Sequence, residues 1–309
     1  MRKIACGVIV ALKLRSIAHN RCMMQILSSL HEVWDRYDAF FVDIWGVLHD
    51  GARPYPFVQE TLDELARAGK YVVLLSNAPR RVERAMKGLA HVGLNARSVH
   101  HMVTSGAMTL DYLHAHYAHK KMYFLGSASD EDLLDGTNLP RVRDVACADY
   151  VLNVGHFYDG QPLHELQPLL HAMQQRTLPM VCANPDKEII TQEGVVFPCA
   201  GEIAYHYQAL GGEVHFVGKP YLAVYERAHS LLPDAIASAR ILAIGDNPAT
   251  DILGGQRYGI DTLLIAGGMW RQVLYPKGDA LDVAQLHQLC ALHHATPRYV
   301  LRYLSDKAR

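Results

Sequence analysis

The chain has 309 residues and no uninterrupted apolar run near the roughly 18 residues that a membrane span needs. It also lacks an excess of either charge, with 30 lysines and arginines against 31 aspartates and glutamates. The first absence argues against a transmembrane helix. The second removes the basic face on which nucleic acid binding depends. Cysteine is sparse: Cys6, Cys22, Cys147, Cys182, Cys199 and Cys290 are scattered, with no CxxC pair among them. Such thiols are expected to be reduced, in a cytoplasmic protein, and they supply neither a disulfide framework nor a zinc site. Acidic residues are missing from the first 31 positions, which carry five basic ones (Arg2, Lys3, Lys13, Arg15, Arg21). The stretch IACGVIVAL there is similar to the apolar part of a signal peptide, but Lys13 and Arg15 follow it without a small-x-small cleavage site. Two readings stay open for residues 1–22: a leader added by an upstream start, with Met23 and Met24 opening the more ordinary pattern, or a targeting segment.

Half of the residues are hydrophobic and a fifth are charged, as in an ordinary globular protein with a buried core. Short β-branched runs alternate with helical patterns. AFFVDI (39–44), YVVLLS (71–76), EVHFVG (213–218), ILAIG (241–245) and DTLLIA (261–266) are nearly continuous apolar runs, which suit strands buried on both faces of a parallel sheet. Between the first two, Val58, Leu62, Leu65 and Ala66 make one helical stripe that Gly69 ends, completing a βαβ unit. YLAVYERAHSLL (221–232) is read as linking the next pair in the same way. The pattern predicts a doubly wound α/β domain, which binds ligands at the carboxyl ends of its strands. Asp43, Ser76, Lys219 and Asp246 all stand at such ends.

Asn77 and Lys219 are 142 residues apart, far more than one crossover helix requires. That interval has its own strands (KMYFLGS, DYVLNVG, PMVCAN) and helices (SGAMTLDYLHAHY, LHELQPLLHAMQQ). A second domain inserted over residues 80–212 is expected, leaving 23–79 and 213–309 as the core. Eighteen histidines are many, yet His114, His116 and His119 do not share one helical face, so a solvated helix surface is favoured there over a metal site. The C-terminal LDVAQLHQLCALHH is amphipathic through Leu281, Leu286, Leu289 and Leu292; packing on the core is the default, and a homodimer contact stays open.

Four motifs in order carry a resemblance. VDIWGVLHDG, LLSNAPR, VGKP and IGDNPATDI resemble the motifs of the haloacid dehalogenase-like (HAD) hydrolase superfamily. The long insertion between the second and third is similar to the C2-type cap of its class IIA, NagD-type members, as are TSGAMTLDYL, ANPDKE and PCAGEIAYHYQALGG. The likeness spans roughly residues 38–270. It implies a Rossmann-like core with an inserted α/β cap, and an Mg²⁺-dependent phosphohydrolase working through an aspartyl phosphate on a small phosphorylated metabolite. By position in the motifs, Asp43 would be the nucleophile. Asp246, Asp43 and the main-chain carbonyl of Trp45 would hold Mg²⁺, with Asp251 near it through water. Ser76 and the amide of Asn77 would bind a phosphate oxygen, and Lys219 would set a cation on the phosphate and on Asp43. For Asp251, a helix N-terminal acid is the alternative. Asn184 and Asp186 resemble a substrate-facing loop, with an Asn-Pro-Asp turn as the alternative. Arg80 and Arg81 are read as starting a helix more than as meeting an anionic substrate.

One position departs from the family. Two residues after the nucleophile, where the phosphatases of this superfamily have an aspartate that protonates the leaving group, stands Trp45. Losing such a group forfeits about 10² to 10⁴ in rate. Three readings remain open: phosphatase chemistry with another donor or with a leaving group that needs no proton; other chemistry; or a phosphorylated-ligand-binding protein that turns over slowly or never. His49 and Asp50 are the nearest other donors, although HDG reads first as a turn. The indole itself could line the substrate site.

Overall fold

The computed structural model describes residues 24–191 and 194–305. The expectation for residues 1–22 therefore lies outside the described residues. Following the chain, β1 (Gln25–Ile26) and β2 (Ala39–Asp43) lead to α1 (Val58–Arg67), β3 (Tyr71–Ser76), α2 (Val82–His91) and β4 (His101–Thr104). Next come α3 (Ser105–His116), β5 (Met122–Leu125), β6 (Arg141–Val142), β7 (Tyr150–Asn153), α4 (Gln167–Gln175) and β8 (Met180–Cys182). The hairpin β9 (Glu188–Ile190) and β10 (Val196–Pro198) precedes α5 (Ala200–Ala209) and β11 (Val214–Phe216). The chain closes with α6 (Leu222–His229), β12 (Ile241–Gly245), α7 (Leu253–Tyr258), β13 (Asp261–Ile265), α8 (Arg271–Leu274), α9 (Val283–Leu292) and β14 (Tyr299–Leu301).

The strands form two parallel sheets and the two-stranded antiparallel β9–β10 hairpin. A seven-stranded sheet has the order β1-β14-β13-β12-β2-β3-β4, and a five-stranded sheet has the order β11-β8-β7-β5-β6. Strand alternation feeds both faces of the larger sheet. Phe40, Val42 and Leu74 pack with Leu62 and Leu65 of α1 on one side. Phe41, Val73 and Leu75 pack with Val224, Tyr225 and Ala228 of α6 on the other. With both faces covered, every residue of β2 is buried, as expected of a doubly wound sheet. The α/β fold read from the sequence is the fold observed.

The division between the two sheets differs from the sequence expectation at both borders. The expected border at residue 80 falls too early, because β4 pairs in register with β3 from Val73↔His101 to Ser76↔Thr104 and so extends the larger sheet. The border at 212 also falls too early. EVHFVG, expected in the core, supplies β11, which pairs with β8 in the smaller sheet. An apolar run of three to five residues looks the same in either parallel sheet, and only its neighbours decide which one it joins. The predicted βαβ link from EVHFVG to ILAIG therefore joins two different sheets. The inserted unit thus runs from α3 through β11.

Among the described residues, no helix is long and apolar enough to cross a membrane. Cys147, Cys182, Cys199 and Cys290 are free thiols. His114, His116 and His119 are all exposed, and the first two belong to α3. Helix α9 buries Leu286, Leu289 and Cys290 against the core, while Leu292 stays 72% exposed.

Candidate active site

The carboxyl ends of the two sheets face one another across a cavity of about 580 Å³. The core side contributes Asp43 at the end of β2 and Trp45 beyond it, Ser76 at the end of β3 with Asn77 to Arg80 beyond it, and Asp246, Asn247, Thr250 and Asp251 after β12. The inserted unit contributes Ser127 after β5, Val154 to His156 after β7, Asn184 and Asp186 after β8, and Lys219 after β11. All nine residues singled out from the sequence line this one cavity. The rule that parallel sheets bind ligands at their carboxyl ends thus applies twice at one site.

Its centre is an ion cluster. Lys219 Nζ donates to Asp43 Oδ1 at 2.5 Å and to Asp251 Oδ1 at 2.7 Å. Asp43, Asp246 and Asp251 are all buried, and one ligand oxygen from each lies within 4.8 Å of the others. Several backbone devices hold the carboxylates. Asp43 is the last residue of β2. Asp246 Oδ2 accepts from the Met269 amide at 2.7 Å. Asp251 sits in a single π-turn (Pro248–Ile252) that Asn247 caps, its side chain accepting from Ala249 N at 3.0 Å. The Asn247 amide also donates to Asp251 Oδ2 at 3.1 Å. The position is therefore both a first-turn acid and a partner of Lys219. Asp246 has room because two neighbours lack side chains: a Cβ on Gly46 would lie 1.7 Å from its Oδ2, and one on Gly268 at 2.3 Å.

Asn77 fixes the lysine from across the cavity. Its Oδ1 accepts from Lys219 N at 2.7 Å and its Nδ2 donates to Lys219 O at 3.1 Å. The end of β3 in one sheet is thereby tied to the loop after β11 in the other. Ser76 Oγ accepts from Ala78 N at 3.1 Å. Asn184 Oδ1 accepts from Asp186 N at 2.9 Å, so the Asn-Pro-Asp segment is a turn and a cavity wall at once.

Electrostatically the cluster is short of positive charge. Burial, then the neighbouring Asp251, pushes the Asp43 carboxyl up to about 7 despite Lys219. Burial and the charges of Asp43 and Asp251 hold Asp246 well above the usual carboxylate range. Burial likewise raises Asp186 to about 6. Burial opposes the Lys219 ammonium, but Asp251, Asp43 and Asp186 more than offset it and hold its pKa above the ordinary value. Fully ionised, the three close carboxylates against one ammonium would carry two net negative charges, a repulsion that raises Asp43 and Asp246 and that a divalent cation would relieve. Oxygen-only ligands suit Mg²⁺, which asks for few protein ligands and keeps its waters.

Trp45 is half-buried, edge-on to the His49 ring with centroids 5.6 Å apart. Its six-membered ring lies against Gly51, where a Cβ would come within 2.2 Å of Cη2. His49 and Asp50 form the turn expected of HDG. His49 Nδ1 accepts from Gly51 N at 2.9 Å, and Asp50 Oδ1 accepts from Ala52 N and Arg53 N at 2.9 and 2.8 Å. Arg81 stands just before α2 without capping it and ties it to the inserted unit by donating to Leu133 O and Asp135 O. Arg80 precedes the helix and stands exposed at the cavity mouth. Sequence reasoning missed the Gly46 and Gly268 cradle, the Met269 amide and His156; the Gly-Gly pair in IAGGMW was the visible signal for part of it.

Comparison with known proteins places this geometry. A family model described as haloacid dehalogenase-like hydrolase matches residues 40–140, and one described as HAD-hydrolase-like matches residues 216–306. Human chronophin is 27% identical over 308 residues, covering 93% of this chain and 97% of its own. Sugar-phosphatase AraL of Bacillus subtilis is 25% identical over 252 residues, 81% of this chain and 90% of its own. Among solved structures, a haloacid dehalogenase-like hydrolase from Brucella suis superposes with a TM-score of 0.77 at 29% identity, covering 90% of this chain and 99% of that one.

Proposed function

Since the chain belongs to the haloacid dehalogenase-like hydrolases of class IIA, we propose that it is an Mg²⁺-dependent phosphohydrolase that acts on a small phosphorylated metabolite through a phosphoryl group carried on Asp43. The observation that carries the reading is the Asp43–Lys219–Asp251 ion triad beside Asp246, enclosed between the ends of two parallel sheets. In this reading Asp43 attacks phosphorus and Lys219 offsets the charge on the phosphate. Ser76 and the Asn77 amide bind phosphate oxygens. Asp43, Asp246 and Asp251, with the Trp45 carbonyl, hold Mg²⁺, which when bound neutralises charge on the phosphoryl oxygens. The inserted unit acts as a cap, with Asn184 and Asp186 facing the substrate. The names of the relatives support a phosphatase: two similar chains are called chronophin and a sugar-phosphatase.

Phosphate release measured with Mg²⁺ tests it. Asp43→Asn is expected to abolish release, and so is EDTA. Release that survives Asp43→Asn would sink the reading. A second reading, a protein that holds a phosphorylated ligand without consuming it, is favoured by one observation, the indole at the position of the usual proton donor. It predicts tight ligand retention with no released phosphate.

A further inference from the structure

The loop that follows Asp43 sets one polar hydrogen beside the indole. His49 stands six positions after Asp43. The loop folds back between them: Leu48 N donates to Ile44 O and Gly46 N to His49 O, both at 2.9 Å, and Trp45 pairs with His49 in an isolated bridge. The imidazole is thereby held edge-on to Trp45, and both rings line the cavity with Asp43. Its tautomer is fixed as well. Nδ1 accepts the Gly51 amide at 2.9 Å, which engages the lone pair of that nitrogen and leaves the ring hydrogen on Nε2. Nε2 has no hydrogen-bond partner among the described residues. Asp50 is different, because its Oδ1 accepts two amides of the turn and the residue does not line the cavity. The cavity has other polar groups, on other elements. His91, at the end of α2, is exposed, as are Asp159 and Glu188 of the inserted unit. His156 of that unit is buried with neither ring nitrogen hydrogen-bonded, although Nε2 lies 3.1 Å from the Glu202 carboxylate. Of these groups, His49 is the one that shares a loop with Asp43.

We infer that His49 Nε2–H donates a hydrogen bond to the ester oxygen that leaves phosphorus, so that a neutral imidazole fills the role left open at Trp45. The inference rests on the phosphohydrolase reading above and adds a catalytic residue to it. A ring whose Nδ1 accepts an amide cannot take a second proton without breaking the turn, so His49 stabilises developing charge and does not transfer a proton. An Asp43 oxygen bonds to phosphorus while the bond from phosphorus to the ester oxygen breaks, and the electron pair stays on the ester oxygen, held by Nε2–H. That oxygen takes its proton from a water molecule. The hydroxide so formed attacks phosphorus, the bond to Asp43 breaks, and the carboxylate and a hydrogen phosphate ion are released. The donor matters most where the leaving oxygen is most basic. A phenol ionises at about 10, while an alkanol lies near water at about 15.7, so alkyl esters depend on His49 more than aryl esters do.

The test reads kcat/KM in Mg²⁺ for phenyl and benzyl phosphate, which share the ring and differ in the basicity of the leaving oxygen. This ratio includes departure of that oxygen and excludes the later hydrolysis of phosphorylated Asp43. Two variants separate the two ring nitrogens. His49→Asn keeps an acceptor for the Gly51 amide, as Asx turns do, and removes the Nε2 donor. His49→Gln supplies an amide N–H near the Nε2 position and gives up the turn acceptor. The expected result is that His49→Asn lowers benzyl phosphate about 10²- to 10³-fold, as loss of one such donor does, and phenyl phosphate about tenfold or less, while His49→Gln stays within about tenfold of wild type on both. A residue that only shapes its turn gives the opposite order, with His49→Gln impaired and His49→Asn near wild type, or equal losses on the two esters; either outcome overturns the inference. A benzyl-selective loss in His156→Phe, with His49→Asn unchanged, overturns it too and moves the donor to the facing unit. Partial unfolding lowers both esters alike, so the benzyl-to-phenyl ratio decides. Should His49→Asn yield no folded protein, His49→Ser, whose hydroxyl can accept the same amide, takes its place with the same expectation. Hydrolysis that Asp43→Asn leaves unchanged, or a wild type silent on both esters, overturns instead the phosphohydrolase reading.

Discussion

Gly46 stands at φ +80 with its missing side chain directed at the Asp246 carboxylate, so two separate penalties meet there. A left-handed backbone costs an ordinary residue about 1–2 kcal/mol, and a Cβ placed 1.7 Å from Oδ2 must displace the carboxylate. Gly69 is the control, since it adopts φ +71 with nothing within 4 Å. Gly69→Ala is expected to lower stability by about 1 kcal/mol and to leave Mg²⁺ affinity unchanged. Gly46→Ala should lower stability further and weaken Mg²⁺ by tenfold or more, as read by thermal unfolding and calorimetric titration. Equal Mg²⁺ affinities in the two variants would show that the cradle around Asp246 does not matter. Lys219 poses the opposite problem. Removing one partner of a buried ion cluster costs about 3–5 kcal/mol, and here it strands two or more carboxylates around the vacated position. Lys219→Ala should therefore unfold at a markedly lower temperature in EDTA than the wild type. Mg²⁺ should recover part of the loss by neutralising the stranded carboxylates, though not the activity.

At the scale of elements, the tie between Asn77 and Lys219 is what registers the two sheets at the site. It pairs both ends of one amide side chain with the backbone N–H and C=O of one residue. Asn77→Ala deletes the two hydrogen bonds and leaves a buried amide and carbonyl unpaired, a loss of about 1–3 kcal/mol for each group left unsatisfied. The expected signature is a 10- to 100-fold fall in kcat/KM, with Mg²⁺ affinity changed less than threefold because these hydrogen bonds of Asn77 run to Lys219 and not to the carboxylates proposed to hold the ion. A parallel loss of Mg²⁺ affinity would mean that the tie orders the whole floor and not only the lysine. This element also marks the limit of what the sequence reveals. Strand ends were legible because buried parallel strands are apolar runs that stop at a polar residue, as in AFFVD and ILAIGD. The sheet to which a run belongs was not legible: HMVT and VHF carry no label, and β4 and β11 find their partners only through contacts 28 and 34 residues away in the chain. The side chains that meet in the cavity were legible and the borders between the two sheets were not, for the same reason. Motifs are local, and sheet membership is not. The amide of Met269 holds Asp246 from 23 residues downstream, a contact that no local pattern could announce.

For the molecule as a whole, the shortage of positive charge at the joint between the two sheets should govern stability. Asp43 in the folded protein is pushed up to about 7, against about 3.9 for an unfolded aspartate. Between those values the folded state holds a proton that the unfolded state has released. By linkage its contribution is present at low pH and is lost as pH rises through the window from about 4 to 7, levelling off above it. Asp246 and Asp186, both raised by burial, act with the same sign. Histidines lowered by burial, among them His49, His100 and His215, act with the opposite sign, because their folded-state pKa lies below the unfolded one. The carboxylate effect is therefore read as a difference. In EDTA, the unfolding temperature of the wild type should fall relative to that of Asp43→Asn as pH rises from 5 to 8, at about 2–4 °C for each kcal/mol. Magnesium should reverse the slope, since its ligands must be deprotonated and proton competition fades as pH rises. At 100 times its dissociation constant it should add about 2.7 kcal/mol. A wild type whose unfolding tracks that of Asp43→Asn at every pH, with and without Mg²⁺, would mean that the triad is neutralised from within the fold and has no need of a cation.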